Sequence, residues 1–207
     1  MLQKSSFDTI CHEHLEYYTL TSLKYLFDKV GFKIIDIKLN DINGGSIAIT
    51  LAKKHSIKHK EITKKIKFII KDEKRKQLHK PITFIKFLKK INKETKKFVQ
   101  QLKKLEKSKK LVLGYGASTK GNILLNYCKI NNNLIKYIAE VNPFKFGKQT
   151  PGTKIDIISE KKAKKMKPDY FVVFPWHFKN FILDKEKNYI KKNKVRFIFP
   201  LPKLTII

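Results

Sequence analysis

The stretch Gly114-Tyr115-Gly116-Ala117-Ser118-Thr119-Lys120-Gly121-Asn122 joins an apolar run at residues 110–113 to an amphipathic one at residues 123–128. An apolar run, a glycine-rich turn and a helix start read as one strand–turn–helix step of an α/β sheet. The glycines let the backbone approach a ligand, and the N–H groups of the helix's first turn point at whatever anion sits there. Phosphate suits such a place. The spacing departs, however, from the dinucleotide fingerprint, which wants a third glycine three positions after the second. It also departs from the P-loop, in which Lys-Ser or Lys-Thr follows the last glycine. A tight turn that holds nothing accounts for the nonamer as well as a nucleotide site does.

Downstream the βα alternation continues. A helix at residues 119–128 leads to a strand at 135–140, an irregular NPFKFGKQTPGT stretch at 142–153, and a short helix near 160–166. A strand at 170–174, a helix at 178–192 and a strand at 195–199 follow. Short apolar strands separated by helices predict a Rossmann-like, doubly wound, mostly parallel sheet, in which ligands sit outside the carboxyl ends of the strands. Three such ends converge: the nonamer, residues 140–143, and Pro175-Trp176-His177.

Upstream, residues 21–30 read as a short helix capped by Thr21 or Ser22 and ended by Gly31. Strands at 32–39 and 46–52 flank the turn NDINGG at 40–45, an antiparallel unit too small to bury its own faces. In the lysine-dense stretch 56–106, apolar stripes of helical spacing run through Ile62, Ile66, Ile69 and Ile70, then Phe84, Phe87, Leu88 and Ile91, then Phe98, Leu102 and Leu105. Two helices parted near His79 are expected, with Pro81 in the first turn of the second. A charged coiled-coil arm or a nucleic-acid-binding helix is the competing reading, and the apolar stripes favour packing.

The net charge is +30, with 47 Lys and Arg against 17 Asp and Glu. Such a balance raises nucleic acid or an anionic membrane as a partner. Yet only Arg75 and Arg196 are arginine, and the lysines run from Lys4 to Lys203 without gathering on one element. Base-edge and phosphate recognition favours the arginine fork, so the charge weighs against a dedicated nucleic-acid surface while still drawing in anionic substrates. No run of about 18 apolar residues offers a membrane span and the first ten residues lack an apolar signal core, which predicts a cytoplasmic protein. Cys11 and Cys128 stand far apart with no CxxC, predicting two reduced thiols.

Near the start, Cys11-His12-Glu13-His14 is followed by Glu16, Tyr17 and Tyr18. A base near neutrality beside a carboxylate is what proton removal next to a carbonyl requires. Zinc is the alternative, but His-x-His gives two ligands at most, and neither HExxH nor a cysteine pair is present; no metal is expected. Polar residues standing partly exposed before a helix remain the plainer account.

Taken in order, FDTICHEHLEYYTLTSL, GGSI, GYGASTKGNILLNYC, VNPFKFGKQTPGT and DYFVVFPWHF resemble the S-adenosylmethionine-dependent sugar C-methyltransferases that act on nucleotide-linked ketosugars. The resemblance covers nearly the whole chain. It implies three parts: residues 1–55 as the end of a methyltransferase domain, residues 56–108 as a lysine-rich helical segment, and residues 109–207 as a Rossmann-like nucleotide-sugar-binding domain.

It also implies that His14 is the base that removes the proton beside the sugar ketone, that Glu13 assists, and that burial of the pair supports the developing charge. Gly114, Gly116, Ser118, Lys120, Gly121 and Asn122 would lie near the phosphates, with Asn142 and Trp176 at neighbouring strand ends. Trp176 either stacks on a base or packs in the core, and His177 is a weaker candidate. The family often has tyrosine where this chain has Cys11, and arginine after GGSI where it has Ala48. No glycine-rich loop for S-adenosylmethionine precedes His14, so the methyl donor is expected only with a missing domain. The chain is accordingly expected to be part of a split enzyme supplied with an upstream fragment, a truncated product, or a domain that binds the nucleotide-diphosphate sugar alone.

Overall fold

A computed structural model of the chain describes residues 1–40 and 45–207. The chain divides into two compact units, one of Glu13–Lys89 and the other of Met1–His12 with Lys90–Ile207.

The unit 13–89 holds helix α1 (Leu20–Lys29), strands β1 (Phe32–Asn40) and β2 (Ser46–Lys53), helix α2 (Thr63–Arg75) and the first residues of α3 (Pro81–Lys107). Thr19 caps α1 through a capping box with Ser22, and the Glu73 carboxylate of α2 accepts the Thr21 N–H at 2.9 Å. The first-turn N–H groups of α1 are thereby satisfied from another helix. Antiparallel β1 and β2 pair from Phe32 with Lys53 to Asn40 with Ser46, with an irregularity between Ile34 and Asp36. Most of the turn expected at 40–45 lies outside the described residues. Leu20, Ile34, Ile37 and Ile66 form the buried centre, flanked by Phe27, Ile47, Ile49, Leu51, Ile62, Ile69 and Ile70, so the isoleucine stripe of α2 faces the hairpin. Residues 56–62 are not helical.

The other unit is built on a six-stranded sheet in the order β5-β4-β3-β6-β7-β8. Its strands are β3 (Val112–Tyr115), β4 (Ile138–Glu140), β5 (Ile157–Ser159), β6 (Tyr170–Val173), β7 (Arg196–Phe199) and β8 (Thr205–Ile206). All neighbours are parallel except β7 and β8. Helices α4 (Thr119–Tyr127), α5 (Glu160–Lys165) and α6 (Lys179–Asn193) connect them. The chain builds outward from β3 to β4 and β5, then returns to lay β6 on the other side of β3. The order therefore reverses between β3 and β6, the place where such sheets bind ligands. This is the Rossmann-like α/β fold. Buried Leu113, Phe171, Val172, Phe197 and Ile198 fill its centre, and α3 buries Ile91, Phe98, Leu102 and Leu105 in this unit. Farther up α3, Phe84 and Leu88 are exposed.

Three details depart from the sequence expectations. The central strand runs on through Gly114 and Tyr115, which pair with β4 and β6, and glycine is needed at 114 because a side chain there would meet Ile138 Cδ1 at 2.4 Å and Phe174 Cε2 at 2.7 Å; the turn begins at Gly116. Two short strands, β5 and β8, add to the four that the sequence pattern predicts. A 3-10 turn, Trp176–Phe178, precedes α6. Among the described residues no helix is long and apolar enough to cross a membrane.

Candidate functional site

The nonamer crosses the carboxyl end of the central strand. Tyr115 ends β3, and Gly116 turns with φ +87°, a left-handed conformation that glycine adopts without strain. Ser118 caps α4, its hydroxyl oxygen accepting the Gly121 N–H at 3.1 Å. Gly121 is required by proximity: a Cβ there would lie 2.9 Å from Phe174 Cβ and Cγ, so α4 rests directly on the end of β6. Lys120 and Asn122 are half-buried on the first turn of that helix.

Glu140, the last residue of β4, closes one side of the turn. Its Oε2 accepts the Ala117 N–H at 2.8 Å, and its Oε1 accepts those of Val141 at 2.8 Å and Asn142 at 3.0 Å. Lys145 approaches the same carboxylate at 3.8 Å and donates to the Ala117 carbonyl at 2.7 Å. A carboxylate thus already holds the backbone N–H that a phosphate would take at Ala117. Asn142 is a cap, its Oδ1 accepting the Phe144 N–H at 3.0 Å.

On the other side of β3 stand Trp176 and His177, directly after β6. Trp176 is 6% exposed, and its indole N–H donates to Asp8 Oδ2 at 2.7 Å. A tryptophan so enclosed packs, and its polar edge is satisfied by a partner 168 residues away. The Asp8 carboxyl titrates above its ordinary range because burial disfavours its charge, an effect that the Trp176 hydrogen bond and the Lys120 ammonium only partly offset. Burial, and then the nearby Lys120, hold the His177 imidazole below its usual value. Asp8, Lys120 and His177 thus share one electrostatic environment where the sheet order reverses. Asp8 carried no local signal in the sequence; Glu140 carried one, as an acidic residue ending the strand after a glycine turn.

Under the turn lies a network of ions. The Tyr115 hydroxyl donates to Glu186 Oε1 at 2.9 Å and accepts from Lys185 Nζ at 2.9 Å. Lys164 bridges Glu186 at 2.7 Å and Glu160 at 2.7 Å, and Lys185 reaches Glu160 at 3.0 Å. Burial, with Glu160 and Glu186 close by, raises the Tyr115 phenol far above its ordinary value, so it stays a neutral donor. Burial pushes the half-buried Cys128 thiol, just past α4, up to about 12.

Glu13 and His14 lie elsewhere in the chain's organisation, opening the unit 13–89 in a segment without regular structure before α1. Both are exposed, in contrast to the burial that the resemblance implies. The Tyr18 hydroxyl donates to Glu16 beside them. Among the described residues, no group of three or more His, Cys, Asp or Glu side chains is placed to hold a metal ion.

Residues 41–202 match the family described as C-methyltransferase C-terminal domain. The chain is also similar to the C-methyltransferase NovU of Streptomyces niveus, 30% identical over 207 residues that make up all of this chain and 49% of that protein. The chain therefore spans about half the length of this curated relative.

Proposed function

From the premise that this chain belongs to the C-methyltransferase C-terminal domain family, we propose that it is the C-terminal part of an S-adenosylmethionine-dependent C-methyltransferase acting on a nucleotide-linked ketosugar. In this reading the Rossmann-like unit holds the nucleotide diphosphate and His14, assisted by Glu13, removes the proton beside the ketone. What supports it, beyond membership, is a capped helix N-terminus carrying Lys120 at the point where the sheet order reverses. Since Glu140 occupies the Ala117 N–H, the diphosphate would be met by the first turn of α4 and the Lys120 ammonium. Gly114, inside β3, and Gly121, pressed on Phe174, serve by letting the elements approach; Gly116 sets the turn, and Ser118 and Asn122 flank the anion.

S-adenosylmethionine supplies a methyl group as an electrophile. The described residues of 13–89 do not fit it: their sheet is one antiparallel pair, with no parallel strand ending in a glycine turn. The donor would then belong to the rest of a longer enzyme or to an upstream fragment. The part left to this chain is proton removal, for which an imidazole is a suited base.

Two measurements test the reading. The isolated chain should transfer no methyl group to a nucleotide-linked ketosugar. Turnover should appear when a donor-binding fragment is added and vanish with His14→Ala; activity unchanged by that substitution refutes the assignment of the base. In calorimetry with nucleoside diphosphates, Lys120→Ala should cost about 1–3 kcal/mol of binding, the value of a charge-assisted contact. The exposure of Glu13 and His14 favours a second reading, a non-catalytic domain that binds the nucleotide sugar; binding that persists with no rescue of turnover by any donor-binding fragment would select it.

A further inference from the structure

We propose that residues 5–9 form a displaceable strap across the crevice between the ends of β3 and β6, with the Asp8 carboxylate keeping the place of the anionic group of a phosphate-bearing ligand. The proposal rests on the crevice being the nucleotide site put forward above, and it adds how that site is regulated.

Two contacts tie the strap to the ends of the sheet's connections. The Phe7 ring packs on Tyr127 of α4 with centroids 4.8 Å apart, and Asp8 accepts the Trp176 N–H at 2.7 Å. Tyr127 ends α4, the helix that leaves β3, and Trp176 stands in the connection that leaves β6, so the strap is held by the segments that follow both strands. Asp8 also feels the charge of Lys120, as does His177. An aspartate here does what a phosphate oxygen would do, accepting from the indole N–H close to an ammonium.

Against these attachments stand polar atoms that docking leaves without partners. Ser5 Oγ, Ser6 Oγ, Asp8 Oδ1 and His177 Nδ1 are all buried and make no hydrogen bond. Ser5, Ser6 and Asp8 are at most 1% exposed. Ser5 further adopts φ +50°, a left-handed conformation that a residue with a Cβ reaches only under strain. Folded proteins satisfy nearly all their buried polar groups, and each exception costs the desolvation of that atom. Three such atoms within four residues, beside a strained backbone, offset part of what the burial of Phe7, its contact with Tyr127 and the Trp176 bond contribute. Lifting the strap rehydrates both hydroxyls and the carboxylate and frees the Trp176 N–H. Docking is thereby weakened, and a ligand that binds only the lifted state shifts the population toward it.

Trp176 is the only tryptophan in the chain, so its emission reports the strap. The full chain is titrated with UDP and with inorganic pyrophosphate while acrylamide quenching of Trp176 and hydrogen exchange at the Phe7, Thr9 and Ile10 amides, bonded within the strap, are followed. Saturating UDP should raise exchange at those amides about tenfold, and Asp8→Ala should tighten UDP binding by about the same factor, because the competent fraction rises. UDP binding with undiminished strap protection, or equal or weaker binding by Asp8→Ala, overturns the strap and leaves the nucleotide site standing. Absence of UDP and pyrophosphate binding by both proteins overturns the nucleotide site instead. The strap is then judged without ligand: Asp8→Ala, or Phe7→Ala should the first variant not fold, must expose Trp176 to acrylamide several-fold more than in the natural chain, and unchanged quenching refutes it.

Discussion

Glu186 is the side chain whose removal the structure makes most costly to the sheet unit. It is 1% exposed and holds three partners at once, the Tyr115 hydroxyl at 2.9 Å, the Lys164 ammonium at 2.7 Å and the Lys185 ammonium at 3.5 Å. Replacing it by alanine leaves neither lysine orphaned, since Lys164 and Lys185 both keep Glu160. The loss is then one charge-assisted bond, about 1.5–3 kcal/mol, and a tyrosine proton stranded without its acceptor, about 1–3 kcal/mol. Together they come to about 2.5–6 kcal/mol. Glu186→Gln keeps the acceptor for Tyr115 and should cost only about 1.5–2 kcal/mol, the charge-assisted share. Tyr115→Phe should cost about 1–2 kcal/mol, and the double variant should show a coupling of about 1 kcal/mol, within the range for contacting residues. Urea unfolding followed by Trp176 fluorescence reads this unit, which contains both Trp176 and the network. Tyr115 is the residue from which the Gly116 turn departs, so the same network fixes the lip of the crevice. Additivity of Tyr115→Phe and Glu186→Gln to within about 0.3 kcal/mol, the behaviour of independent sites, would refute the shared network.

Three further outcomes are expected. Asp8 ionises in the fold above its ordinary value near 3.8, so folding takes up a proton between those two values: the unit gains stability as pH falls through the window and loses it as pH rises. Trp176 emission should titrate with a midpoint above 3.8 and lose that transition in Asp8→Asn; a midpoint at or below the ordinary value contradicts the burial argument. Gly116→Ala must accept φ +87° and approach Pro175 Cδ at 2.9 Å, so it should lower stability by about 1–3 kcal/mol in thermal unfolding; a loss under 0.5 kcal/mol, roughly that of a surface change, speaks against the turn. Cys128, its thiol pushed up to about 12, should be alkylated by iodoacetamide at pH 8 at least about a hundredfold more slowly in the folded chain than in urea, since only the thiolate reacts; equal rates would show the thiol exposed.

Periodicity and turn chemistry made the elements of this chain legible. Ser118 before a helical run and apolar residues at 112, 113 and 170–173 mark α4, β3 and β6 because caps and strand cores act over a few neighbouring residues. Strands β5 and β8, three and two residues long, carry too little pattern to register and owe their extended form to the strands they join. Gly114 looks like a turn glycine and is a strand residue, since only the packed sheet reveals that Ile138 and Phe174 close over it.

The sequence by itself determined the alternation of strands and helices, the glycine turn and the family. Tertiary structure alone decided that Glu140 would hold the Ala117 N–H, that Glu186 would tie Tyr115 to Lys164, and that Asp8 would reach Trp176 across 168 positions. Secondary structure obeys forces that act between near neighbours, whereas the pairing of a buried charge depends on which distant segments the sheet order brings together.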